Sequence, residues 1–106
     1  MAERRQWTRE ESIVACALYA VTTYDQIQSI NPKVQEVAKK LGRSPASLAM
    51  RMTMYAALDP VSQAKGHKGF DAITKQDREV FSEFQKDWRS IMEQAEKIVG
   101  PLRDTD

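Results

Sequence analysis

A chain of 106 residues that is 42% hydrophobic and 29% charged is sized for one domain around one small core. Its formal net charge of +1 gives no overall pull towards nucleic acid, and its single cysteine, Cys16, excludes an internal disulfide and points to a reducing, cytoplasmic setting. No apolar run approaches the ~18 residues needed to span a bilayer, and the opening MAERRQW does not read as a secretory signal.

Residues 1–6 read as a basic arm. Thr8 then opens a helix, with Glu11 three residues later completing a capping box and Trp7 placed to staple onto the first turn. Ile13, Val14, Ala17, Leu18 and Val21 recur at three and four, which predicts one apolar face, with Cys16 and Tyr19 beside it. Tyr24, Ile27 and Ile30 suggest a short helical turn or a structured loop. Asn31-Pro32 supplies an N-cap and a first helical residue for a second helix to Leu41, with Val34, Val37, Ala38 and Leu41 facing inward. Gly42 suits a left-handed residue after that helix. Ser44-Pro45 starts a third helix to Leu58, whose inner row is Leu48, Met52 and Tyr55. Two short helices joined by such a turn form a helix-turn-helix, the arrangement whose second helix enters the DNA major groove.

Asp59-Pro60 stops the third helix. Residues 60–73 read as a basic loop in which two glycines bracket His67 and Lys68, with Lys65 just before them. Thr74, with Asp77 three residues on, opens a last helix that runs unbroken to Val99. Its Phe81, Phe84, Trp88, Ile91, Ala95 and Ile98 alternate at three and four. Phe84 and Trp88 are expected in the core, leaving the distal turns to project and pair with a second copy. The fold expected is therefore all-α and a single domain. It comprises a three-helix helix-turn-helix core (7–59), a basic loop (60–73) and one long C-terminal helix (74–99).

Charge is distributed unevenly along this plan. Residues 1–70 hold ten Lys/Arg against six Asp/Glu, and residues 71–106 hold six against nine. The positive excess therefore falls on the half that contains the helix-turn-helix, where phosphate neutralisation would use it. Chemistry-bearing patterns are missing. One histidine and one cysteine about fifty residues apart make no metal site, no nucleophile–base pair is spaced for catalysis, and no phosphate-binding glycine loop occurs. The expectation is a non-enzyme without metal or cofactor.

Trp7-Thr8-Arg9-Glu10-Glu11 followed by the helix-turn-helix resembles Myb/SANT-like domains. A closer similarity is to the N-terminal region of HNH-type restriction endonucleases. It is carried by Asn31-Pro32, Leu41-Gly42-Arg43-Ser44-Pro45, Ala49-Met50-Arg51 and Leu58-Asp59-Pro60, and continues through Lys68-Gly69, Asp77-Arg78 and Glu83-Phe84 to Asp87-Trp88. Those enzymes carry a histidine-containing nuclease domain after this region, which these 106 residues lack. Tyr24-Asp25-Gln26 also departs from the family's Pro-Phe-Gly. The resemblance implies a stand-alone specificity or accessory domain acting in regulation or in phage–host conflict over restriction.

On this reading the chain is a DNA-binding module. Arg51 is the candidate for a guanine edge. Arg43, Ser44 and Ser47 are placed for phosphate or bases, and Lys39, Lys40, Lys65 and Lys68 for phosphate. The alternative is a protein–protein module that engages a nuclease or another defence protein, suggested by the near-neutral charge, the acidic last segment and the outward Met50 and Met54. A homodimer through the C-terminal helix is the third expectation.

Overall fold

A computed structural model describes residues 6–66 and 73–102. Among them every regular element is helical: α1 (Arg9–Ala20), a 3-10 turn (Tyr24–Gln26), α2 (Pro32–Leu41), α3 (Pro45–Leu58), α4 (Pro60–Ala64), α5 (Lys75–Lys86) and α6 (Trp88–Val99).

The hub is α1. Thr8 Oγ1 accepts the Glu11 amide at 3.1 Å while the Glu11 carboxylate accepts the Thr8 amide at 3.0 Å, the reciprocal cap its sequence predicts. Every residue from Glu11 to Tyr19 is buried, so α1 has no solvent face in that stretch. Ala15, Cys16 and Ala17 fill the positions between the larger Ile13, Val14 and Leu18. Small side chains there let α3, α5 and α6 all pack against this one helix. A helix that is buried all round is a central helix rather than a half-buried one. Val21, expected inward, is the C-cap and lies 41% exposed, because α1 ends just before it.

The α2–α3 corner follows its sequence closely. Gly42 adopts φ 69°, ψ 31°, its amide donates to Lys39 O at 3.1 Å and the Arg43 amide donates to Ala38 O at 2.9 Å. That paired closure is a Schellman motif and needs a residue at ease with positive φ. Ser44 Oγ accepts the Ser47 amide at 3.1 Å and opens α3. Leu48, Met52 and Tyr55 are fully buried, and Ala49 and Ala56 sit beside them.

The segment after α3 differs from expectation in two places. The expected loop begins as a short helix, α4, because Asp59 ends α3 and caps the next turn, its Oδ1 accepting the Val61 amide at 3.0 Å. The long C-terminal helix is two helices of twelve residues, broken at Asp87, whose backbone is not helical (φ −154°, ψ 81°) and whose side chain accepts the Ser90 amide. An aspartate competes for backbone amides through its own carboxylate, which favours caps over helix interiors. The break lets α5 and α6 each lie along α1. It also resets the helical phase. Phe81, Ile91 and Ala95 are buried as expected and Phe84 is half-buried, but Trp88 and Ile98 are 46% and 45% exposed. Val80, Met92, Val99 and Leu102 join the core in their place. No projecting rod remains among the described residues. The principal extents are 38 × 35 × 25 Å.

Candidate nucleic-acid interface

The corner residues singled out from sequence do not form one surface. Arg43 leaves the turn and folds back over the start of α1. Its Nε and Nη2 donate to the two Glu11 carboxylate oxygens at 3.1 and 2.7 Å, and Nη2 also donates to Gln6 O at 2.8 Å. The two side chains of this pair are only 10% and 11% exposed. Arg51, on α3, pairs with Asp77 of α5, which has no exposed surface. Both guanidinium groups also lie on the indole of Trp7, at 4.6 and 4.7 Å from the ring centroid. Trp7 is therefore a half-buried platform under Arg43 of the α2–α3 turn and Arg51 of α3.

Asp77 gathers a further set of contacts. Thr74 Oγ1 donates to its Oδ2 at 2.8 Å and accepts its amide at 3.1 Å. The Tyr55 hydroxyl stands 2.8 Å from Asp77 Oδ1 and 3.0 Å from Ser12 O, so its one proton serves two acceptors. Burial, and then the nearby Asp77 charge, push the Tyr55 hydroxyl well above its ordinary value of 10.0, so it acts as a neutral donor. Gln76 completes the network, donating to Ser12 Oγ and Trp7 O at 3.0 Å each. Glu11 and Asp77 are the partners that reading the sequence missed. Both sit at the third position of a helix, where an acid is readily assigned to capping alone.

The remaining candidates separate into two places. Lys39 and Ser44 are exposed and Ser47 half-buried near the start of α3. Lys40 is beside them, but its Nζ donates to Val99 O at 2.7 Å and so caps the C-terminus of α6. Lys33 adds a similar bond, to Pro101 O at 3.1 Å. Lys65 lies beyond the other end of α3, at the close of α4; with fourteen residues in between, α3 alone separates it from Ser44 by roughly 20 Å. Lys68 lies outside the described residues. The outward side of α3 is made of Ala46, Ser47, Met50, Thr53, Met54 and Ala57, with no charge.

Among the described residues no group of His, Cys, Asp and Glu is placed to hold a metal, and no helix is long and apolar enough to cross a membrane. Cys16 is fully buried, and burial, followed by the charges of Asp77 and Asp59, pushes its thiol far above the ordinary 9.0. A thiol held protonated is a poor nucleophile. No protein-family model, curated protein or solved structure matches the chain.

Proposed function

We propose that this chain is a non-enzymatic DNA-binding module, a relative of the specificity region of HNH-type restriction endonucleases that acts in regulation or phage–host defence. The observation that carries this reading is the electrostatic character of the corner. From Val37 to Leu58 there is no acidic residue, and Lys39 near the end of α2 and Ser44 and Ala46 at the start of α3 are exposed. A helix N-terminus presents free amides and the positive end of its dipole to phosphate. Small side chains at Ala46 and Ser47 allow a close approach to the duplex. Lys39, Ser44 and Ser47 carry the contacts on this reading, while Lys40 caps α6 and Arg43 and Arg51 hold the corner in place from behind.

The test exploits position 47, the third residue of α3. Ser47→Glu puts an acid where it can cap the helix but also where phosphate would lie. The fold should be as stable as the parent or more so, while affinity for duplex DNA at low salt drops by about tenfold or more. Lys39→Gln should lower the slope of log affinity against log salt by about one. Absence of any duplex binding at low salt in a gel-shift or anisotropy titration would overturn the reading. One observation favours a second reading, a protein partner: the uncharged methionine-bearing side of α3 suits an adaptable apolar contact. A partner protein retained at high salt by a chain without DNA affinity would establish it.

A further inference from the structure

A pocket of about 600 Å³ opens at the far end of the molecule from the start of α3, between the end of α1, the 3-10 turn, α4 and α5. Three aromatic residues, Tyr19, Tyr24 and Phe84, line it together with two acids, Asp25 and Asp59, and one base, Lys65. Asp59 is held in place by the Tyr19 hydroxyl, which donates to its Oδ2 at 2.7 Å, and by the Val61 amide on Oδ1. Burial, and then this bond to Asp59, raise the Tyr19 hydroxyl well above its ordinary 10.0, so it stays neutral and leaves the carboxylate charge uncancelled. Among the described residues neither Asp25 nor Asp59 makes an ion pair with a cation. The lining thus combines three aromatic residues with two acids against one base.

We propose that this pocket binds an organic ammonium group, an alkylated amine whose charge meets the carboxylates and whose methyl groups meet the rings. Aromatic faces attract a cation through their quadrupole, and a soft, weakly hydrated ammonium sheds its water more readily than a metal ion. The volume suits a small ligand or one side chain of a partner. The same chemistry is offered by a free quaternary amine and by a methylated lysine on a peptide. This proposal does not rest on the DNA reading: the pocket and the α2–α3 corner lie at opposite ends of α3, and either can fail alone.

Choline and its uncharged isostere 3,3-dimethyl-1-butanol are the probes, titrated into the full chain with backbone amide shifts as the readout. Choline should shift the amides of residues 24, 25, 61 and 84 and bind roughly tenfold tighter than the isostere. Tyr24→Leu should weaken choline binding several-fold. Asp25→Asn and Lys65→Gln change exposed side chains and keep the test independent of folding: the first should weaken choline binding and the second should strengthen it. A trimethyllysine peptide binding tighter than choline would assign the ligand to a partner protein, and the reverse to a free amine; both support the site. Equal binding of the uncharged isostere, no response to choline at millimolar concentration, or no change of affinity in either charge variant would overturn it.

Discussion

Asp77 has no exposed surface, and three side chains from two stretches of chain reach it: Arg51 and Tyr55 of α3, and Thr74 at the cap of α5. Taking a carboxylate out of water is costly unless charge and hydrogen bonds replace the lost hydration. Removing only the cation leaves that cost uncompensated. Arg51→Ala is therefore expected to destabilise the fold by about 3–5 kcal/mol, read as a shift of the urea midpoint, and the double change with Asp77→Asn should recover part of the loss. Loss of DNA affinity in Arg51→Ala alone would carry no information about base contacts, which is why Ser47→Glu and Lys39→Gln are the diagnostic changes. The sequence marks Arg51 as basic and on α3, but it does not mark the acid that occupies it, twenty-six residues further on.

The α2–α3 corner and the α5–α6 break show the same elementary rule with opposite legibility. Gly42 announces its turn because only a residue without Cβ sits easily at φ 69°. Gly42→Ala should cost about 1–2 kcal/mol, measurable by thermal unfolding, with the helix content otherwise retained. Asp87 gives a weaker signal. An aspartate inside a heptad-like apolar pattern also reads as a surface residue of one long helix, and the periodicity on either side supports that. In the structure both short helices pack against α1, and Val80, Phe81, Ile91, Met92 and Ala95 are buried. Trp88 and Ile98 are left half-exposed as a consequence.

At the scale of the whole molecule, one helix without a solvent face carries Cys16 and Tyr19 into the interior beside Tyr55. Tyr19 and Tyr55 lie with ring centroids 6.4 Å apart, and Phe81 stacks on Tyr55 at 6.1 Å. All three titratable groups are held in their neutral forms, with folded values above the ordinary 9.0 for the thiol and 10.0 for the phenols. The unfolded chain therefore releases these protons first as pH rises. Their contribution is complete below pH 9 and is lost above it, with a slope approaching about 1.4 kcal/mol per pH unit for each group. Urea midpoints measured from pH 7 to 11 should be flat at first and then fall, steepening as pH passes 10. Cys16→Ala should remove the earliest part of the decline.

The sequence by itself determined the local structure: the capping box at Thr8 and Glu11, the Gly42 turn, the Ser44-Pro45 start of α3 and the inner rows of α2 and α3. Each depends on residues within four positions of one another. The tertiary structure alone decided which helix is central, where the last helix divides and what the basic residues of the corner touch. Those outcomes depend on partners such as Glu11 for Arg43 and Asp77 for Arg51, separated by 32 and 26 residues. Burial makes an unpaired charge costly, so long-range packing drew both arginines of the corner inward, where periodicity and charge count had placed them on the surface.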